Sequence, residues 1–294
     1  MNKEEVLEHV VNIPAVKKSP FSIELFNGLR IAQGERLAFI LGPCALESRD
    51  HAMFMVEKIT EICFRLGISY IFKSSFDKAN RSSIKSYRGL GFYEGLKVLE
   101  EVRTTFNVPI ITDIHEPPQC EVVADVVDIL QIPAFLSRQT DLIVSAAETQ
   151  KCIAVKKGQF LSPWEMKNVI EKIESVGNEQ IILTERGTMF GYQNLVVDFR
   201  SLLIMRDFGY PICFDATHSQ QLPGQLGDKT GGTPQYISAF VRAATAAGID
   251  VLFMEVHDCP ERALSDGTNQ LPLNQLENVL RQVLAIRYTI GDRP

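Results

Sequence analysis

The sequence predicts a closed (β/α)8 TIM barrel, on three observations. Eight short apolar runs recur along the chain, at residues 37–43, 70–74, 109–114, 129–133, 152–156, 180–184, 211–215 and 251–256. Each is continuous and rich in Ile, Val and Phe, as strands buried on both faces are. Longer stretches of helical apolar period lie between them, and strict alternation of strand and helix implies a parallel sheet. Eight is also the number of strands that closes such a sheet. The runner-up, an open doubly wound sheet for a dinucleotide, lacks its GxGxxG after the first strand.

The elements follow in order. Residues 1–36 read as an N-terminal extension, ending in FSIELFNGLRIA (21–32), two short strands around the type I′ turn pair Asn27-Gly28. This β-hairpin is expected to cap the barrel bottom. After the first strand, HAMFMVEKITEICFRLG reads as a helix that packs through Met53, Phe54, Met55 and Phe64. YEGLKVLEEVRTTF forms a second helix. SPWEMKNVIEKIESVG opens with Ser162 as N-cap, Pro163 at the first helical position and Glu165 completing a capping box, and it closes at Gly177. Residues 219–233 contain four glycines and one proline and read as a long mobile loop able to act as a lid. The loop's GDKTGG lacks the phosphate-loop pattern GxxxxGK[ST]. LNQLENVLRQVLAIRY supplies the last helix. No linker-like change of composition interrupts the chain, so residues 1–294 read as one domain.

Composition narrows the function. With 45% hydrophobic and 22% charged residues, the 294-residue chain can bury a sizeable core. A net charge of −6 argues against a general nucleic-acid binder. The six cysteines contain no CxxC and read as reduced thiols, with Cys63, Cys152 and Cys213 as apolar filler. The N-terminus has no apolar signal region, and no run reaches the roughly 18 apolar residues of a membrane span. A soluble, cytoplasmic protein with no membrane partner is expected.

Barrel active sites sit at the C-terminal ends of the strands. Those ends carry Cys44, Lys73 and Lys78, Asp113 and His115, Gln131, Lys156, Glu185 and Arg186, Asp215 and His218, and Glu255 with His257 and Asp258. One buried polar residue is ordinarily a satisfied core group, but a ring of them points to a ligand. Lys73, Lys78, Lys156 and Arg186 converge only if the barrel closes, and together they call for an anion of two or more charges. Pairing with local acids such as Asp77 or Glu185 is the alternative. Cys44, His218, Glu255 and Asp266 combine thiolate, imidazole and carboxylate, which suits Zn²⁺, Fe²⁺ or Mn²⁺. Their spacing is no local zinc motif, so a buried Cys44 with His218 as a hydrogen-bond donor stays open.

At these residues the chain resembles the 3-deoxy-D-manno-octulosonate 8-phosphate synthase family, from about residue 37 to the last helix. The resemblance rests on GPCALES (42–48), FKSSFDKANRSS (72–83), GLGFYEGL (89–96), TDIHE (112–116), DILQIPAFLSRQTDL (128–142), VKKGQFLSP (155–163), ERGTMFGYQNLVVDFR (185–200), FDATHSQQLPG (214–224) and MEVHDCPERALSDGTNQLPL (254–273). It implies condensation of phosphoenolpyruvate with arabinose 5-phosphate for lipopolysaccharide synthesis. The aldoheptulosonate phosphate synthases, which use erythrose 4-phosphate, are the alternative. They carry a Lys-Pro-Arg-Thr loop where this chain has Lys78-Ala79-Asn80-Arg81-Ser82.

By resemblance, Lys73, Lys78, Lys156 and Arg186 hold phosphoenolpyruvate, while Asn80, Arg81 and Ser82 bind the sugar phosphate. Arg138 reaches the site of a neighbouring subunit, typically in a homotetramer. Asp113, His115, Gln131 and Phe135 line the cavity, with Asp113 and His115 as proton handlers. Cys44 stands where metal-independent members carry asparagine. With His218, Glu255 and Asp266 present, the chain is similar to the metal-dependent class, which uses a divalent transition metal.

Overall fold

The eight apolar runs form eight parallel strands that close on themselves. The computed structural model describes residues 21–81, 83–225 and 231–290. A hairpin of β1 (Ser22–Glu24) and β2 (Arg30–Ala32) comes first. Then follow β3 (Ala38–Gly42), α1 (Arg49–Leu66), β4 (Tyr70–Lys73), α2 (Phe92–Phe106), β5 (Ile110–Asp113), α3 (Gln119–Val126), β6 (Ile129–Ile132) and α4 (Thr140–Glu148). The second half holds β7 (Cys152–Lys156), α5 (Met166–Glu174), β8 (Ile181–Glu185), the small hairpin β9 (Thr188–Gly191) and β10 (Asn194–Val196), and α6 (Arg200–Arg206). It ends with β11 (Ile212–Asp215), the short pair β12 (Gln221–Leu222) and β13 (Gly231–Gly232), α7 (Ile237–Ala246), β14 (Val251–His257), β15 (Leu271–Pro272) and α8 (Leu273–Ile290). Neighbouring barrel strands pair in chain order, and β14 closes the ring between β11 and β3. The TIM barrel expected from the sequence is the observed fold.

Alternation along each strand explains why the runs are apolar throughout yet end in charge. Outward residues such as Phe39, Leu41, Phe72 and Leu183 join one cluster with the helices. Inward residues form a second: Ala38 and Ile40, Ile71, Ile111, Ile129, Cys152 and Ala154, Ile182, Cys213, Val251 and Phe253. Ile23, Leu25 and Ile31 of the N-terminal hairpin belong to that inner cluster, so the hairpin closes the barrel bottom as expected. Two residues further along the same inward rows stand Lys73, Asp113, Gln131, Lys156, Asp215 and Glu255, all buried. The barrel is thus filled with hydrocarbon below and ionisable groups above.

Two local expectations change, and a third segment is described only at its ends. The hairpin turn is not the two-residue type I′. Leu25 and Leu29 still pair (N···O 2.9 Å), Gly28 N–H donates to Leu25 C=O at 2.8 Å, and only Gly28 has positive φ, at 79°. That is a three-residue turn with a bulge at the glycine, and it spares Asn27 the left-handed conformation. In α1, Met55 is buried and Met53 packs against the core, but Phe64 is 85% exposed and Phe54 41%. The buried stripe runs through Ala52, Met55, Val56, Ile59, Ile62 and Cys63, and both phenylalanines fall off it. The loop after β11 is anchored at both ends: Ser219 and Gln220 are buried, and β12 pairs with β13. Residues 1–20, Ser82 and 226–230 lie outside the described residues.

Other expectations hold. Glu165 accepts hydrogen bonds from Ser162 N–H (2.9 Å) and hydroxyl (3.0 Å), and Gly177 ends that segment with φ 75°. Cys63, Cys152 and Cys213 are buried. No helix among the described residues is long and apolar enough to cross a membrane.

Because Ile31 is fully buried inside the barrel mouth, Ile31→Ala is expected to cost roughly 2–5 kcal/mol. Equilibrium denaturation measures this directly, and a loss below about 1 kcal/mol would show that the hairpin does not complete the core.

Candidate active site

The C-terminal rim of the barrel encloses a cavity of about 400 Å³. Lys78, Asn80, Arg81, Asp113, His115, Phe135, Lys156, Arg186, His218 and Asp266 all line it. Close strand approach builds its floor. Gly42, the last residue of β3, has φ 153°, and a Cβ there would lie 2.1 Å from the Lys73 carbonyl oxygen. Only glycine admits β4 at that distance.

Beneath the cavity the polar layer is bonded across strands. Lys73 Nζ donates to Glu255 Oε1 (3.0 Å), Ser75 Oγ (3.0 Å) and the Cys44 carbonyl (2.9 Å). Lys78 Nζ stands 3.7 Å from Glu255 and 3.8 Å from Asp113. Ser75 and Gln131 both donate to Asp113. Lys156 Nζ donates to Asp215 Oδ2 at 2.7 Å and lies 4.1 Å from the Phe253 ring centroid. Arg81 donates to Asp266 (3.2 Å), and Gln221 bridges Asp266 (3.1 Å) to Arg186 (2.5 Å). The cations therefore do pair with acids, but with acids from across the barrel rather than with Asp77, which binds Arg88, or Glu185, which faces Lys157. Among the described residues no carboxylate forms an ion pair with Arg186. Among the described residues its Nη1 is buried with no hydrogen-bond partner, as is Glu255 Oε2.

Charge and burial set the protonation states. Burial opposes ionisation of Asp113, Asp215 and Glu255, yet the surrounding cations outweigh it and hold all three below the usual carboxylate range. Lys73 leads for Asp113, and His218 leads for Asp215 and Glu255. Burial pulls His115 down, so its ring is neutral near pH 7. Burial likewise pulls Arg186 below its usual range, opposed first by Asp215 and then by Glu185. Burial, with Glu255 adjacent, pushes the Cys44 thiol up.

The four candidate metal ligands gather at one side of this layer. One donor atom each from Cys44, Glu255 and Asp266 lies within 4.8 Å of the others. His218 Nε2 is 3.4 Å from Glu255 and 3.9 Å from Asp266. His218 Nδ1 lies 2.7 Å from Asp215 Oδ2, an orientation that aims Nε2 at the carboxylates. Sulfur, imidazole and oxygen donors around the unpartnered Glu255 Oε2 fit a divalent transition cation. Asp266 holds positive φ (47°), a strained backbone at this point. A second group, Glu47, His51 and His257, does not line the cavity, and its His257 and Glu47 face each other at 3.3 Å.

The sequence matches the DAHP synthetase I family over residues 13–289. The chain belongs to that family. A Cyanothece protein named 2-dehydro-3-deoxyphosphooctonate aldolase is 56% identical over 269 residues, 92% of this chain and 98% of that protein. A Fusobacterium nucleatum protein of the same name is 56% identical over 252 residues, 86% of this chain and 91% of its own. One from Geobacter sp. is 54% identical over 259 residues, 88% and 95% of the two chains.

In this DAHP synthetase I family member the residues singled out from sequence are distributed on three levels. Those lining the cavity are given above. Lys73, Gln131, Cys44 and Glu255 lie below its surface, and Lys73 is linked to the lining residues Lys78 and Asp113 by way of Glu255 and Ser75. Arg138 is exposed outside it. Ser82 lies outside the described residues. Sequence reasoning assigned no role to Asp215, Ser75, Gln221, Ser265 or Gln270. Asp215 was visible as a strand-end acid beside His218. Ser265, bonded to Arg81 at 3.0 Å and to Cys44 Sγ at 3.1 Å, stands next to the candidate ligand Asp266. Gln270, which accepts from Cys44 N–H at 3.1 Å, and Gln221 gave no signal.

A carboxylate whose folded pKa is depressed stabilises the fold above its ordinary value, about 4, and loses that contribution as pH falls toward the folded value. Asp215→Asn is therefore expected to cost about 3–5 kcal/mol at pH 7 by stranding Lys156. Its melting temperature should also fall less steeply than wild type between pH 5 and pH 3. Parallel acid limbs would contradict the buried pair.

Proposed function

We propose that this chain condenses phosphoenolpyruvate with D-arabinose 5-phosphate and water to give 3-deoxy-D-manno-octulosonate 8-phosphate and phosphate, a step of lipopolysaccharide biosynthesis. This is the reaction behind the name its relatives carry. The observation that carries the reading is the cavity of Lys78, Lys156 and Arg186, with an unpartnered buried guanidinium nitrogen, in a chain more than half identical to those relatives. Their names, with Ala79-Asn80-Arg81 after Lys78, set aside the erythrose 4-phosphate alternative.

The reaction joins C3 of phosphoenolpyruvate to the aldehyde carbon, adds water at C2 and releases phosphate by C–O cleavage. Lys78, Lys156 and Arg186 neutralise the phosphate and carboxylate of phosphoenolpyruvate and stabilise the departing phosphate. Asn80, Arg81 and Ser82 take the sugar phosphate, setting the aldehyde over the enol face. Lys73 fixes the floor by holding Glu255. Gln131 holds Asp113, and Phe135 walls the sugar side. Neutral His115 is able to accept a proton, whereas the ionised Asp113 anchors Lys78. Cys44, His218, Glu255 and Asp266 would hold a divalent transition cation, Zn²⁺, Fe²⁺ or Mn²⁺. When bound, such a cation supplies a Lewis acid for the aldehyde or for a water molecule.

The reading extends to the assembly. Exposed Arg138 has Phe135, Phe160 and Trp164 close by in sequence or space, exposed by 55%, 54% and 64%. Apolar side chains around an arginine support a homotetramer in which Arg138 serves a neighbouring site. Six unpaired cysteines support a cytoplasmic setting.

Phosphate release from phosphoenolpyruvate is expected with arabinose 5-phosphate and to be weak with erythrose 4-phosphate. Chelation should abolish it and Mn²⁺, Fe²⁺ or Zn²⁺ restore it. Cys44→Asn should lower both bound metal and turnover by more than about tenfold. Activity surviving verified metal removal would make Cys44 structural, and preference for erythrose 4-phosphate would reverse the substrate assignment.

A further inference from the structure

Behind the cavity, on the outer side of the two strands that present Lys156 and Arg186, lies an ion pair that the reaction above leaves unused. Alternation turns Lys156 inward at the end of β7 and Lys157 outward; Arg186 lines the cavity and Glu185 does not. Lys157 and Glu185 are 0% and 1% exposed, with Nζ and Oε1 3.6 Å apart. A buried pair of this kind contributes little net stability, because desolvation offsets the attraction. Its hydrogen bonds show what it organises. Glu185 Oε1 accepts from the backbone N–H of Arg186 (2.9 Å) and of Gly187 (2.6 Å). Its Oε2 accepts from the Ser201 hydroxyl at 2.5 Å, in the first turn of α6. Lys157 donates to Thr188 Oγ1 (2.8 Å), where β9 begins, and to the Leu161 carbonyl (3.2 Å).

The far end of Arg186 is loosely held by comparison. Its Nη2 donates to Gln221, on the loop after β11, and its Nη1 has no partner among the described residues. The direction in which the guanidinium enters the cavity is therefore set at its root. There one carboxylate grips two successive backbone N–H groups, and Gly187 (φ 94°) turns the chain away.

We propose that Glu185 is a positioning residue for Arg186. Its carboxylate, clamped by Lys157 and Ser201, fixes the turn from which the guanidinium meets the phosphoenolpyruvate anion. This rests on the reading of Arg186 as a phosphoenolpyruvate-binding cation.

Steady-state kinetics with both substrates test it, and wild-type turnover is the control: a wild type that does not turn over overturns the substrate reading, not the positioning. Given turnover, Glu185→Gln is expected to raise KM for phosphoenolpyruvate about tenfold, with KM for arabinose 5-phosphate within about twofold. Ser201→Ala should shift the same constant about threefold. The double variant Glu185→Gln with Lys157→Met separates positioning from stability. Removing the stranded ammonium should return the melting temperature toward wild type while KM for phosphoenolpyruvate stays raised. If KM also returns, or if both KM values move together in each variant, Glu185 is only structural. Should Glu185→Gln alone not fold, the double variant and Ser201→Ala decide the question.

Discussion

The upper half of this barrel is organised around one carboxylate. Glu255 is fully buried on β14, the last barrel strand, within 3.0 Å of Lys73, 3.7 Å of Lys78 and 3.4 Å of His218. An isolated carboxylate at that depth would take up a proton rather than stay charged. Its neighbours keep it ionised, and it in turn fixes them. Lys73 ties it to the Cys44 loop through a carbonyl, and Lys78 links it to Asp113. The arrangement exists only because β14 lies between β11 and β3, so that the first, second, seventh and eighth strand ends face one another.

Electrostatic balance follows. Lys73, Lys78, Arg81, Lys156 and Arg186 share the rim with Asp113, Asp215, Glu255 and Asp266. The surplus positive charge is small, and it is concentrated at Arg186, whose guanidinium has a neutral partner, Gln221, among the described residues. A multiply charged anion thus meets cations already oriented by fixed carboxylates, and little reorganisation is needed as charge shifts. The demand for an anion read from four converging cations is thus met in part by acids from distant strands.

Asp266 shows how closely the parts are joined. One oxygen takes Arg81, the arm assigned to the sugar phosphate; the other takes Gln221, which reaches Arg186. The same residue is one of the four candidate metal ligands. Both substrate arms and the candidate metal set therefore meet at one strained position on the loop beyond β14.

Much was legible beforehand because it depends on short-range pattern. Continuous Ile, Val and Phe runs ending in charge mark strands buried on both faces with functional C-terminal ends, and the motifs from GPCALES to MEVHDCPERALSDGTNQLPL carry the family. The turn at Gly28 was misread because a glycine serves either turn type, and strand pairing decides between them. Phe64 was misread because an aromatic residue at helical spacing does not reveal which side of its helix meets the sheet. Partner choice was beyond reach as well. Glu185 was weighed against the cavity cations, yet it faces away from them, since one residue of alternation sends Arg186 inward and Glu185 out. By itself, then, the sequence determined the barrel, the family and the list of ionisable groups at its rim, because each follows from local periodicity and residue identity. Only the tertiary structure decided which acid holds which base and which groups remain open to a ligand, because those contacts join residues as far apart as Arg81 and Asp266, 185 positions along the chain, whose meeting depends on closure of the sheet.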